Sequence, residues 1–203
     1  MNPLKSITGT IIAGFVLAVI IMFALGTAGK VNPWAFWVWI HVIVGITWIG
    51  LLYYFNFIQV PGVGKALAEK DSGGPGPVAI NKYIAPNALL WFRWAALATW
   101  LTGAMALEAM HAAPGSGFVA AFTFADGYAF IGMGAWLGTI MLLNVWGLIW
   151  PNQKKILGLD GKEHSAEVIA KAKVVALMAS RTNTLLSIPM LLGMISQGHG
   201  LPF

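Results

Sequence analysis

The amino-acid sequence predicts an all-α integral membrane protein, a bundle of about five transmembrane helices, on three observations. Of 203 residues, 58% are hydrophobic and only 9% are charged, where a soluble domain carries about a quarter charged residues. Five apolar stretches reach the roughly 20 residues that a bilayer crossing needs. The lysines gather in loops on one side of those stretches, the asymmetry that orients membrane helices.

The five spans are expected at about 7–28, 33–59, 86–110, 126–150 and 174–197. The first follows Lys5 and could pass for a signal peptide. Its apolar run, Ile7 to Leu25, exceeds a typical h-region, so an uncleaved first helix is expected. The second is long enough to tilt or to project from the bilayer. A polar loop from Pro61 to Pro86, containing GKALAEKDSGGPGP, separates it from the third. The fourth ends in Met141–Lys155, MLLNVWGLIWPNQKK. There Trp146 and Trp150 suit the interface, Pro151 is expected to stop the helix, and Lys154 and Lys155 face water. Before the fifth span, SAEVIAKAKVV favours helix and should extend that span beyond the membrane. Around Ala112–Phe124 lies an apolar segment too short to span, a candidate sixth, interfacial helix.

Lys5, Lys65, Lys70, Lys82, Lys154, Lys155, Lys162, Lys171 and Lys173 fall on one side, and Lys30 on the other. This predicts a cytoplasmic N-terminus and an external C-terminus. The same bias accounts for the net charge of +5. The basic residues form no single face, so nucleic-acid binding is not expected. The whole chain reads as one membrane domain, 1–203, with membrane lipid as its surroundings. With no cysteine, disulfides, iron–sulfur clusters and covalent CxxCH haem c are excluded, and any cofactor must be held by His, Met, oxygen or nitrogen. No Walker, GxSxG or HExxH pattern is present.

Ionisable side chains inside the bilayer are costly and ask for a reason. Arg93 and Arg181 lie at similar depth in the lysine-bearing half. Each either snorkels to the interface or contributes to an anion site for haem propionates or an anionic substrate. Asn183 beside Arg181, and Asn144 on the fourth span, could join such a polar patch. His41 shares a helical stripe with Trp34, Trp37, Gly45 and Trp48. It is either a haem ligand or a core histidine bonded to a neighbouring helix. His41, His111 and His199 belong to the half opposite the lysines, together with Met105, Met110, Met190 and Met194. His/Met sets suit haem b iron first and copper second. A tight three-histidine site would need staggered helices. Ser180, Asn183, Ser187, Met190, Met194 and Gln197 form a stripe that should face protein or cofactor. Gly134 and Gly138 form a small-xxx-small pair, expected at a close helix contact.

Four strings, WIGLLYYFNFIQ (Trp48–Gln59), WFRWAALATWLTG (Trp91–Gly103), NVWGLIWPNQKK (Asn144–Lys155) and SRTNTLLSIPM (Ser180–Met190), resemble the membrane domain of the bacterial membrane-bound, cytochrome-c-linked urate oxidase (urate hydroxylase) family. The resemblance runs in order from about His41 to Met194. It implies an oxidoreductase of the bacterial inner membrane that converts urate to 5-hydroxyisourate and passes electrons to the respiratory chain. On the stated topology the C-terminus is then periplasmic. Family members carry a cytochrome c domain that this chain, ending at Phe203 without CxxCH, lacks. Electrons would leave through a separate cytochrome c or a larger respiratory complex. His41, Arg93, Asn144, Arg181 and Asn183 fall within or beside the matching strings.

The expected function is therefore a membrane redox protein of the urate-oxidase type, binding haem b and serving a separate electron acceptor. The alternative is an accessory transmembrane subunit of a respiratory or photosynthetic complex, with no catalysis of its own. A small transporter ranks last, because no inverted repeat or broken helix pair is visible.

Overall fold

The computed structural model describes residues 2–26, 31–110 and 115–201. Among them every regular element is helical. The elements are α1 (Ile7–Leu25), α2 (Pro33–Ala68), α3 (Ala85–Ala109), α4 (Gly117–Phe122), α5 (Ala129–Ile156) and α6 (Ala166–His199). Four of these, α1, α2, α5 and α6, are both long and apolar enough to cross a membrane. The expected third span appears as α3, with 25 residues. Arg93, Asn87 and its threonines and tryptophans lower its hydropathy, and it is not among those four.

The chain divides into two compact units, Met1–Asn32 and Pro33–Phe203. The first contains α1, apolar all round and with no buried residue. Ser6 caps it, its hydroxyl accepting from the Gly9 N–H at 3.1 Å, which satisfies one of the free amides of the first turn.

In the second unit, α2 packs along α3 and α5 packs along α6. Trp48, Leu52, Phe55, Leu89, Phe92, Met141, Val145 and Ile149 fill the core between the two pairs. A second cluster, Leu107, Ala121, Ile131 and Ala135, seals the end opposite the lysine-bearing loops. There the short α4 lies against α3 and α5; it falls within the segment expected to be interfacial. Gly134 and Gly193 let α5 and α6 approach closely. A Cβ on Gly193 would stand 2.7 Å from the Phe130 carbonyl oxygen and 2.8 Å from Gly134 N, so any side chain there would force α5 and α6 apart.

Two helices overrun their expected ends. Pro61 does not close α2, and Pro151 does not stop α5, which continues to Ile156. The reason is the same in both. A π-helical turn starts six residues ahead of the proline, at Phe55–Gln59 and at Val145–Ile149. The residue before the proline then donates its N–H to the carbonyl five positions back, Val60 to Phe55 and Trp150 to Val145. The wider turn relieves the clash of the proline ring with the preceding turn. Pro86 at the start of α3 repeats the pattern, with a π turn at Ile80–Ile84 and Ala85 donating to Ile80.

Candidate functional site

His41 lies about 12 Å into α2 from Pro33, at 1.5 Å per residue. Its Nδ1 is 2.8 Å from the Thr99 carbonyl oxygen on α3. A carbonyl only accepts, so Nδ1 carries the proton, and in the neutral ring Nε2 holds the free lone pair. The ring lies close against Gly103, where a Cβ would stand 2.9 Å from His41 Cε1 and 3.1 Å from Nδ1. Gly45, the glycine of the sequence stripe, instead faces the Thr99 methyl.

Nε2 forms no hydrogen bond among the described residues. His41 lines a partly open cavity of about 50 Å³ bordered by α2, α3, α4, α5 and α6, together with Trp48, Gly103, Gly138, Met190 and Met194. No lining residue is charged. Met190 is buried and Met194 half-buried. The Met194 methyl lies 4.0 Å from the position that a Cβ on Gly138 would take. Trp48 is 2% exposed, and its indole N–H has no acceptor. Trp100 and Trp136, by contrast, donate to Thr139 Oγ1 at 2.8 Å and to the Phe122 carbonyl at 3.0 Å.

A metal-binding imidazole usually donates its other ring N–H to a carbonyl or carboxylate, which fixes the tautomer and the ring orientation. His41 has that arrangement. Space discriminates between the expected cofactors. About 50 Å³ takes an ion or a few waters, where sites for organic ligands run to roughly 300–1,000 Å³. A haem macrocycle does not fit the cavity as it is packed.

The other candidate residues separate. His111 lies outside the described residues. His199 is the exposed last residue of α6. Among the described residues no group of three His, Cys, Asp or Glu could hold a metal; the donors that do share a cavity with His41 are thioethers. Met105 is 48% exposed and faces away.

Arg93 stacks on Trp150 of α5, with its guanidinium carbon 3.9 Å from the ring centroid, a cation–π contact joining α3 to α5. Arg181 is exposed and lines a different place, a groove of about 540 Å³ on the outer face of α2 and α6, with Tyr53, Asn56, Phe57 and Thr184. Arg181 and Asn183 do not form one patch. Asn183 is fully buried; it donates to the Met141 carbonyl at 2.9 Å and accepts from Asn144 Nδ2 at 2.9 Å. The Asn144–Asn183 pair is a bridge between α5 and α6.

Sequence reasoning passed over Tyr53 and Asn56. Asn56 Nδ2 donates to Ser180 Oγ at 2.8 Å and to the Leu52 carbonyl at 2.9 Å, and its buried Oδ1 has no partner. Ser187 donates its one proton to the Thr184 carbonyl at 2.7 Å. Tyr53 therefore donates to Ser187 Oγ, 2.9 Å away. Their only signal was position: a Tyr and an Asn three residues apart within one apolar span. Outside the membrane segments, His164 Nε2 lies 2.7 Å from Asp160 Oδ2, and this hydrogen bond holds the Asp160 carboxyl below the usual range.

No curated protein and no solved structure matches the chain. A family model described as urate oxidase N-terminal matches residues 106–203, which include the Asn144–Lys155 and Ser180–Met190 strings. Over those residues, just under half of the chain, it is similar to the urate oxidase N-terminal family.

Proposed function

We propose that this chain is the membrane-embedded part of a redox system of the urate-oxidase type. It holds a redox-active metal group through His41 Nε2 and passes electrons from a planar anionic substrate to an acceptor of the cytochrome c or respiratory-complex class. The observation that carries this reading is the orientation of His41: Nδ1 is committed to the Thr99 carbonyl at 2.8 Å, and the ring borders a cavity that also holds two thioethers.

The substrate's place is the Arg181 groove, whose volume of about 540 Å³ suits a small organic molecule. Urate is flat and anionic. Arg181 supplies a positive charge for charge-assisted hydrogen bonds. Tyr53 and Phe57, with ring centroids 5.3 Å apart, supply flat surfaces, and Asn56 supplies an amide. The Tyr53–Ser187 hydrogen bond lies between the groove and the cavity: Trp48 precedes Tyr53 on α2, and Met190 follows Ser187 on α6. Oxidation of urate to its 5-hydroxy product takes up one water and releases two electrons and two protons, so each turnover must reduce an acceptor.

The test is urate-dependent reduction of a soluble cytochrome c by the chain in proteoliposomes. His41→Ala should abolish it. Arg181→Gln should raise KM while leaving the metal group in place. Activity that survives both changes refutes the reading. A second reading, an accessory subunit, is favoured by the exposed Arg181, which forms no ion pair among the described residues and suits an acidic partner. Purification from membranes in mild detergent tests it: a fixed-stoichiometry partner supports this reading, and a monodisperse, active chain excludes it.

A further inference from the structure

We propose that the cavity beside His41 is a site for a single soft monovalent cation of the copper(I) class, ligated by His41 Nε2 and the thioether sulfurs of Met190 and Met194, with Trp48 beside it. This rests on the reading that the cavity holds the chain's metal group, and it replaces the macrocycle of the sequence expectation with a bare ion.

Four observations support it. The first is the donor set. Thioether and imidazole ligands select copper(I), whereas magnesium, calcium and manganese want oxygen, and no carboxylate lines the cavity. The second is charge. The energetic cost of an ion in a low-dielectric interior rises with the square of its charge. Neutral ligands in an uncharged cavity therefore favour a monovalent ion over zinc(II) or copper(II). The third is size, about 50 Å³, ample for an ion and too small for a porphyrin. The fourth is the imidazole lone pair that the chain leaves unmatched: Nδ1 is committed to the Thr99 carbonyl, and Nε2 has no hydrogen bond among the described residues. The face of the Trp48 indole, which also lines the cavity, adds cation–π attraction.

The placement of the donors in sequence explains why spacing alone did not reveal them. His41 is on α2. Met190 and Met194 are four apart on α6, where a helix stacks them on one face. Gly103 and Gly138 remove the side chains that would otherwise fill the space.

The experiment is a competition between the purified full-length chain and a chromophoric copper(I) chelator under anaerobic, ascorbate-reduced conditions, with X-ray absorption at the copper edge on the same samples. The chain should retain one copper per molecule in a mixed sulfur–nitrogen shell. Met190→Leu combined with Met194→Leu should weaken retention by at least ~10-fold, the loss that even a change in an outer-shell partner produces. His41→Gln should do the same. Met105→Leu, which removes an outward-facing thioether, should change nothing. Elution as a single species with unchanged helix content qualifies each variant. If His41→Gln fails that check, the methionine pair alone decides. Copper retained undiminished by the double variant overturns the proposal, as does an oxygen–nitrogen shell. A Soret band with no copper overturns it while leaving the redox reading intact. Neither metal nor haem, in protein purified from cells supplied with both, overturns both.

Discussion

His41 donates Nδ1–H to the Thr99 carbonyl at 2.8 Å across the contact between α2 and α3. That one bond decides the chemistry available at the site. It anchors the ring, sets the tautomer and leaves Nε2 free at a cavity that the methionines of α6 share. Gly103, one turn beyond Thr99, lets the ring lie against the α3 backbone.

Gly193→Ala is expected to damage the contact between α5 and α6. Its Cβ would meet backbone atoms at 2.7–2.9 Å, and backbone cannot rotate away. The expected loss is about 1–3 kcal/mol, the usual range for overpacking, read as lowered resistance to unfolding in a denaturing detergent. Gly147→Ala, in open space, is the control and should change little.

Asn183→Ala removes both ends of a buried bridge, leaving the Asn144 amide without its partner and the Met141 carbonyl with only the Val145 N–H. Stability should fall by roughly 1–3 kcal/mol. Asn144→Ala should cost less, because Asn183 keeps its bond to Met141. Unfolding titrations of the two single variants and the double variant measure this. A larger loss for Asn144→Ala would contradict the geometry.

Arg93 and Trp150 should couple. A double-mutant cycle of Arg93→Met and Trp150→Leu is expected to return an interaction of about 0.5–2 kcal/mol. Turnover per folded molecule should be unchanged in Arg93→Met, since the guanidinium is occupied in packing α3 on α5.

Arg181→Gln should leave the fold intact, because the side chain is exposed and forms no ion pair among the described residues. Losing a charge-assisted hydrogen bond of about 1.5–3 kcal/mol should raise KM for an anionic substrate by roughly 10–100-fold. Melting temperature and steady-state kinetics on one preparation separate binding from stability.

The Asp160–His164 pair gives a pH dependence of known sign. Its hydrogen bond lowers the folded-state carboxyl value. The stabilising effect is therefore complete above the unfolded carboxylate value, about 3.9, and fades as pH falls through the lowered one. Carboxyl-carbon NMR should place the Asp160 midpoint below that of a model peptide, and His164→Ala should move it upward. An unshifted midpoint in the unaltered protein would contradict the pair.

Much of the architecture was legible in the sequence because membrane helices are set by length and apolarity, properties that each segment carries alone. The stripe was legible over most of its length for the same reason, since polar residues at helical spacing in an apolar span tend to face inward: Asn183, Ser187 and Met190 are buried, Ser180 and Met194 half-buried, and only Gln197, near the helix end, is exposed. The ends of α2 and α5 were not. Proline ordinarily breaks a helix, and only the backbone shows a π turn taking up the strain. The separation of Arg181 from Asn183 was also hidden, though two residues apart on a helix point to different sides. Partner identity is the harder limit. The pairing of Thr99 with His41, Ser187 with Tyr53 and Trp150 with Arg93 depends on how helices dock, which no single segment encodes.

The most direct measurement is metal and haem content, with oxidised and reduced optical spectra, on the purified chain and on His41→Ala. The expected result is a stoichiometric metal group, with or without visible bands, that is lost in His41→Ala while the helix content stays unchanged. A metal group retained in full by His41→Ala, or a chain free of metal and haem when purified from metal- and haem-replete cells, would contradict the assignment of His41 as its ligand.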